Sequence, residues 1–270
     1  MSNLLVEKKA GVAWITLNRP EVRNAFDDAL IASLKNCFSE LEADRSTRIV
    51  VLAGNGPAFC AGADLNWMKR MAGYGYEENL ADARSLADML AALDRLPKPT
   101  IARVHGPAFA GGTGLVAACD IAIGTPQAKF CFSEAKLGLS PATISPYVMR
   151  AIGERAARRY FLTAERFPAA EAYRIGFIQE LAQPAELDAT VNAILGELVQ
   201  GAPGAHAVTK DLIRAVAGRR VDSGLMDDMA TRIATARASA EGKEGVRAFL
   251  EKRKPAWLRQ AMKKGAKKKK

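Results

Sequence analysis

Apolar residues recur along this chain in two rhythms, and the rhythm changes with position. Short runs of β-branched and aliphatic residues stand out in the first half, at Val12–Leu17, 49–53, Thr100–Val104 and 121–123. Such runs predict strands. Asn18-Arg19-Pro20 ends the first, because proline lacks an N–H and restricts the residue before it. Between the runs the period lengthens to three and four. Leu30, Leu34, Cys37, Phe38 and Leu41 share one face of a helix that Asp27 or Asp28 can cap and that runs to about residue 42. Leu80, Ala83, Leu86, Ala87, Leu90 and Leu93 repeat the pattern over 77–96, where Pro97 and Pro99 stop it. Leu65–Met71 predicts a short helix broken by Gly73-Tyr74-Gly75-Tyr76.

The second half changes character. Gly153 divides a helical stretch into 147–152 and 154–162. A helix-and-turn piece at 167–176 and a short strand at 177–181 follow, and then helical periods fill 187–199, 205–217, 225–237 and 241–250. Strand and helix signals alternate early, and helices alone occupy the last third. This order predicts an α/β (α+β) fold with a sheet-containing core and a helical appendage.

Composition narrows the class. The chain has 270 residues, 49% of them apolar, and no apolar run long enough to span a bilayer, so no membrane partner is expected. The opening MSNLLVEKK has no apolar signal region, so no secretory leader is expected. Cys37, Cys60, Cys119 and Cys131 form no CxxC pair and sit among apolar neighbours, as reduced core thiols of a cytoplasmic protein would. The two histidines, His105 and His206, lack metal-ligand spacing, so no metal is expected. Of the net charge of +10, six units belong to lysines at 263–270, a run that reads as a solvated, disordered tail. RNA binding through that tail is the functional alternative of a different class. No aromatic-interleaved basic surface accompanies it, and nucleic acid is not expected as the main partner.

Two stretches carry candidate chemistry. Gly111-Gly112-Thr113-Gly114 follows the strand and the turn His105-Gly106-Pro107, and opens an apolar helix. Small residues at such a junction let a ligand approach the backbone, and the first helical turn offers unpaired N–H groups suited to an oxyanion. The other stretch, Pro57 to Leu65, follows the strand at 49–53. The loop at 54–62, which overlaps it, holds five small residues among nine positions and, taken alone, reads as a mobile surface connection. Glu134 is a carboxylate in an otherwise hydrophobic neighbourhood.

Together the two stretches resemble the enoyl-CoA hydratase/isomerase (crotonase) superfamily. The resemblance runs from Val12 to about Leu258, includes LNRPEVRNAF and the closing FLEKRKPAW, and is closest to bacterial 3-methylglutaconyl-CoA hydratase-like proteins. It implies a crotonase-type spiral of ββα units at 1–195, a C-terminal helical trimerisation region at 196–258, and the basic tail at 259–270. It implies an acyl-CoA substrate, no separate cofactor, and a homotrimer or dimer of trimers. The implied activity is reversible addition of water to a 2-enoyl-CoA, with a Δ3-Δ2-enoyl-CoA isomerase as the alternative.

The resemblance also assigns roles. Ala63 and Gly111 match the two main-chain donors that hold the thioester oxygen, and Glu134 matches the second of two catalytic glutamates. The first matches Gly114, which has no side chain. Ser140, Thr143, Ser145 and Thr113 are then candidates for holding a water, and Arg70, Arg84 and Arg150 for meeting a distal carboxylate. Arg23, Ala61, Asp64, Leu65, Gly114, Phe249 and Lys252 are implied to contact the substrate, the last two on the terminal helix and often on a neighbouring subunit.

Overall fold

The computed structural model describes residues 2–258; the tail expected at 259–270 is outside the described residues. Strands β1 (Leu4–Lys9) and β2 (Val12–Leu17) form an antiparallel hairpin. Its turn, Ala10-Gly11, has φ of 51° and 83°, the doubly positive geometry that follows strand twist. The apolar pattern does not predict β1, because only one of its six residues is even partly buried. Helix α1 (Asp28–Ala43), β3 (Ile49–Gly54), α2 (Leu65–Met71), α3 (Tyr76–Arg95) and β4 (Thr100–Val104) follow. Asp27 caps α1 by accepting from the Leu30 N–H. Next come β5 (Ala108–Phe109), α4 (Gly111–Ala118), β6 (Ile121–Gly124), β7 (Lys129–Cys131), α5 (Ser145–Thr163), β8 (Phe167–Pro168), α6 (Ala169–Arg174) and β9 (Glu180–Leu181). Helices α7 (Leu187–Leu198), α8 (Pro203–Val216), α9 (Ser223–Ala238) and α10 (Ala240–Leu250) complete the chain.

The main sheet runs β1-β2-β3-β4-β6-β9, parallel from β2 onward. A parallel strand covered on both faces is apolar throughout, and all six residues of β3 are buried. The pleat sends alternate residues to opposite layers. Val50 and Leu52 join the core under α1, α3, α4 and α5, while Ile49, Val51, Ile101 and Ile123 pack against Leu187, Val191 and Leu195 of α7. The domain boundary expected at 195/196 therefore falls inside α7, a helix that belongs to the sheet core; the appendage starts with α8. Gly153 interrupts α5 at φ 72°, ψ 165°, where the sequence divides the helix. Of the strand expected at 177–181 only Glu180–Leu181 pairs, and Phe177 and Ile178 turn into the core instead.

An ion pair, buried on its lysine side and open to solvent at its aspartate, ties the appendage to the sheet. Lys210 of α8 is 8% exposed and donates to Asp120 Oδ2 at 2.7 Å and to the Lys98 carbonyl at 3.1 Å. Asp120 also receives the Thr100 N–H at 2.8 Å and hydroxyl at 2.9 Å. Removing one partner of a buried pair strands the other. Asp120→Ala leaves the buried Lys210 ammonium with one carbonyl partner and should cost about 1–3 kcal/mol in urea unfolding, and adding Lys210→Met should recover part of that loss.

Candidate active site

Main-chain pairing brings three distant stretches together. The β5–β7 pairing sets Ala108 opposite Phe130 and Phe109 opposite Cys131. Ala108 also bridges Cys60. The Phe109 N–H donates to the Cys60 carbonyl and the Ala110 N–H to the Cys131 carbonyl, both at 2.9 Å. Loop 54–62 is therefore no mobile connection: Ala58, Phe59 and Cys60 are at most 2% exposed. Burial pushes the Cys60 thiol up to about 12, so it stays an inert core group.

The two proposed donors lie where the stretches touch. Phe26 bridges Ala63, with the Phe26 N–H donating to the Gly62 carbonyl at 2.6 Å and the Asp64 N–H to the Phe26 carbonyl at 2.7 Å. The neighbours of Ala63 make those bonds, and its own N–H has no protein acceptor among the described residues. Gly111 opens α4, so its N–H precedes the first intrahelical bond. A Cβ on Gly62 would lie 3.0 Å from the Phe109 carbonyl oxygen and 3.1 Å from the Ala110 Cβ. One on Gly112 would overlap the Cys60 carbonyl, and one on Gly111 would lie 2.9 Å from the Phe26 ring. Small residues are required because the two backbones are in contact. Ala110 holds φ 45°, ψ −121°, strained for alanine, and this sets the direction in which α4 begins. The Thr113 hydroxyl, donating to the Ala110 carbonyl, helps to hold it there.

Glu134 starts a 3₁₀ turn three residues beyond Cys131. Its Oε2 is buried and, among the described residues, accepts nothing. Burial pushes the carboxyl above its ordinary value. A half-buried carboxyl with a free oxygen and a raised pKa is equipped both to take and to return a proton.

The other expected contacts divide. Arg23 is exposed, and its carbonyl accepts the Ala61 N–H at 3.0 Å, so these two candidates are neighbours. Leu65 is 74% exposed beside them at the start of α2. Phe249, 82% exposed, and Lys252 lie at the end of α10 in the appendage. Asp64 is corrected: it is 5% exposed, and its oxygens accept from the Asn66 and Trp67 N–H groups and from Arg19. Burial alone would raise its carboxyl, but these donors outweigh that and hold it low. It caps α2 and has no oxygen to spare for substrate.

Gly114 is also corrected. It is buried in α4, and a Cβ there would overlap the Ile144 methyl and lie 3.5 Å from Leu90 Cδ1. Ile144 fills the space a side chain at 114 would enter, so an added glutamate would have to displace it. Among the water-holding candidates, Thr113 and Ser145 already donate to the Ala110 and Ala142 carbonyls, while Ser140 is exposed. Among the arginines, Arg70 pairs with Asp28 at 2.7 Å and Arg150 with Asp94 at 2.6 Å. Arg84 is exposed.

Sequence reasoning quoted Arg19 and Asn24 within LNRPEVRNAF without giving them work. Asn24 is fully buried and its amide donates to the Asn55 and Ala58 carbonyls at 2.8 and 2.9 Å, holding the loop that leads to Ala63. Arg19 pairs with Asp27 and Asp64. The signal was a cluster of polar residues directly after a buried strand.

Two unengaged main-chain donors, and a carboxyl with one buried, unpartnered oxygen three residues beyond the strand that pairs with β5, are the equipment of an enzyme that stabilises an oxyanion while moving a proton. By its sequence the chain belongs to the enoyl-CoA hydratase/isomerase family, whose pattern matches residues 7–260. It is similar to an enoyl-CoA hydratase from Shewanella pealeana of known crystal structure, with 43% identity, 95% of this chain and 96% of that one covered, and a TM-score of 0.93. It is 31% identical over 260 residues to the short-chain-enoyl-CoA hydratase of Clostridium acetobutylicum, covering 94% of this chain and 97% of that protein. It is also 31% identical over 259 residues to the crotonyl-CoA hydratase of Syntrophomonas wolfei, covering 95% and 98%. The fold is that of the crotonases, and the chain is an enzyme of this family acting on acyl-CoA thioesters.

Replacing Glu134 separates chemistry from stability. Glu134→Gln should lower kcat by about 10²–10⁴. It should also raise the melting temperature at neutral pH. A carboxyl with a raised folded-state pKa contributes its stability below the ordinary value of 4.5 and loses it as pH rises through the raised one. The difference in melting temperature should therefore vanish on acidification. Melting curves across that range check the sign.

Proposed function

We propose that the enzyme adds water across the double bond of a branched 2-enoyl-CoA such as 3-methylglutaconyl-CoA. The carrying observation is that Glu134 alone, among the described residues, holds a buried carboxylate oxygen with no partner, with Ile144 occupying the place of a second carboxylate. The thioester oxygen sits between the Ala63 and Gly111 N–H groups, which stabilise the enolate as it forms. The water oxygen bonds to Cβ while Glu134 takes one of its protons. The same carboxyl, with its raised pKa, returns a proton to Cα, so the elements of water are added and the glutamate is regenerated.

Losing one carboxylate also changes which acyl groups are tolerated. A glutaconyl group carries its own anion, and two enzyme carboxylates near it would repel it, whereas Ile144 and Leu90 present an uncharged wall. Arg84, exposed on α3, is the arginine available to the distal carboxylate. Arg23, Ala61 and Leu65 form the surface that meets coenzyme A. The same lone carboxyl supports a second reading, a Δ3-Δ2 isomerase in which Glu134 carries a proton between Cγ and Cα.

Purified enzyme assayed on crotonyl-, 3-methylglutaconyl- and 3-enoyl-CoA should hydrate the branched substrate fastest. Double-bond migration that dominates while hydration stays at background on all three would establish the isomerase instead.

The working form is a trimer or a dimer of trimers. The appendage exposes Val208, Ile213, Val221, Met226, Val246 and Phe249, each at least 53% accessible, and apolar surface on this scale is covered by association. Light scattering should give the mass of three or six chains; a monomer would refute it.

A further inference from the structure

The residues after β2 form a charge clamp, and its jaws are the caps of two helices. The side chain of Arg19 is 14% exposed. Its Nη1 lies 2.9 Å from Asp27 Oδ2 and donates to the Ala25 carbonyl at 2.7 Å; its Nη2 donates to Asp64 Oδ2 at 3.1 Å. Each aspartate spends its other oxygen on a helix: Asp27 Oδ1 accepts from the Leu30 N–H at 2.8 Å, and Asp64 Oδ1 from the Asn66 N–H at 2.8 Å. The guanidinium thus joins the starts of α1 and α2. The residues directly before those two aspartates, Phe26 and Ala63, form the bridge that fixes the chain on either side of the Ala63 N–H.

We infer that Arg19 is a positioning residue that sets the direction of the Ala63 donor through Asp64. The inference rests on the reading of Ala63 and Gly111 as the thioester-oxygen donors. Without the guanidinium, two cap carboxylates would face one another unpaired, and like charges that close repel. The least costly relief turns the paired residues that lead into the caps. They include Ala63, the one donor not fixed by a helix. Main-chain pairing to Phe26 sets where Ala63 lies, and the clamp sets how it points. A lysine retains the charge but not the planar fork that reaches both carboxylates and a carbonyl at once.

The test uses the full chain and butyryl-CoA carrying ¹³C at the thioester carbon, a saturated probe that cannot be hydrated. Infrared difference spectra read the polarisation of its bound carbonyl. In the wild type the stretch should fall below its value for free butyryl-CoA. In Arg19→Lys it should move back toward that value, with kcat on the enoyl substrate down about 10- to 100-fold, short of the full loss of a donor, and KM nearly unchanged. Asp64→Asn keeps the cap oxygen but removes the acceptor for Arg19, and should show the same split even if Arg19→Lys does not fold. A wild-type carbonyl at the free frequency would remove the oxyanion site, and this inference with it. A carbonyl polarised in the wild type and equally polarised in the variants, or variants that change only KM or only the melting temperature, would overturn the clamp while leaving the site standing.

Discussion

Main-chain pairing between Cys60, Ala108 and Phe130 is the constraint on which the site depends. Each stretch is short, and none would hold a fixed direction alone. Paired side by side, they convert three loops into one small sheet at the edge of the core. The bonds are between backbone groups, so their geometry is insensitive to side-chain type. What side chains must do is stay out of the way, which explains why glycine and alanine crowd the junctions at 61–63 and 110–112. The strain at Ala110 is tolerated because bonds on both sides of it over-determine its position.

Much of this was legible in the sequence. The helices announced themselves through period and β2, β3, β4 and β6 through their apolar runs, whereas the two- and three-residue strands β5 and β7 are too short to carry a pattern. The β1 strand did not announce itself, since it is almost wholly exposed and its partner is supplied by chain connectivity. Loop 54–62, taken by itself, reads as mobile for a related reason. Glycine and alanine look alike to pattern reasoning whether they bring flexibility or permit a tight approach, and only the neighbour across the gap decides. The paired stretches and Glu134 were recognisable as a motif. The work of Arg19 was not, because a buried arginine acquires its meaning from two aspartates, Asp27 and Asp64, the second of them 45 residues away. The side chain of Asp64 was misassigned on the same grounds, because its oxygens were already taken.

The electrostatic layout of the site follows from what is left unpaired. Polar groups in the surrounding shell are matched, with Asn24 on carbonyls, Arg19 on carboxylates and Asp64 on N–H groups. Against that background the free Oε2 of Glu134 is a deliberate exception. Its burial without a partner costs stability and raises its proton affinity together, so the same feature that weakens the fold at neutral pH equips the residue for proton transfer.

The contact between Gly114 and Ile144 reaches beyond mechanism into how this enzyme can change. Neither position can be altered usefully without the other. A carboxylate introduced opposite an intact isoleucine meets a filled volume, and a small residue substituted for Ile144 opposite glycine leaves a cavity. Residues in contact couple non-additively, so a variant with a carboxylate at 114 and a small residue at 144 is reached only through a single change that costs stability at either step. Ile144 therefore acts as a lock on position 114, which opens only when both residues change together.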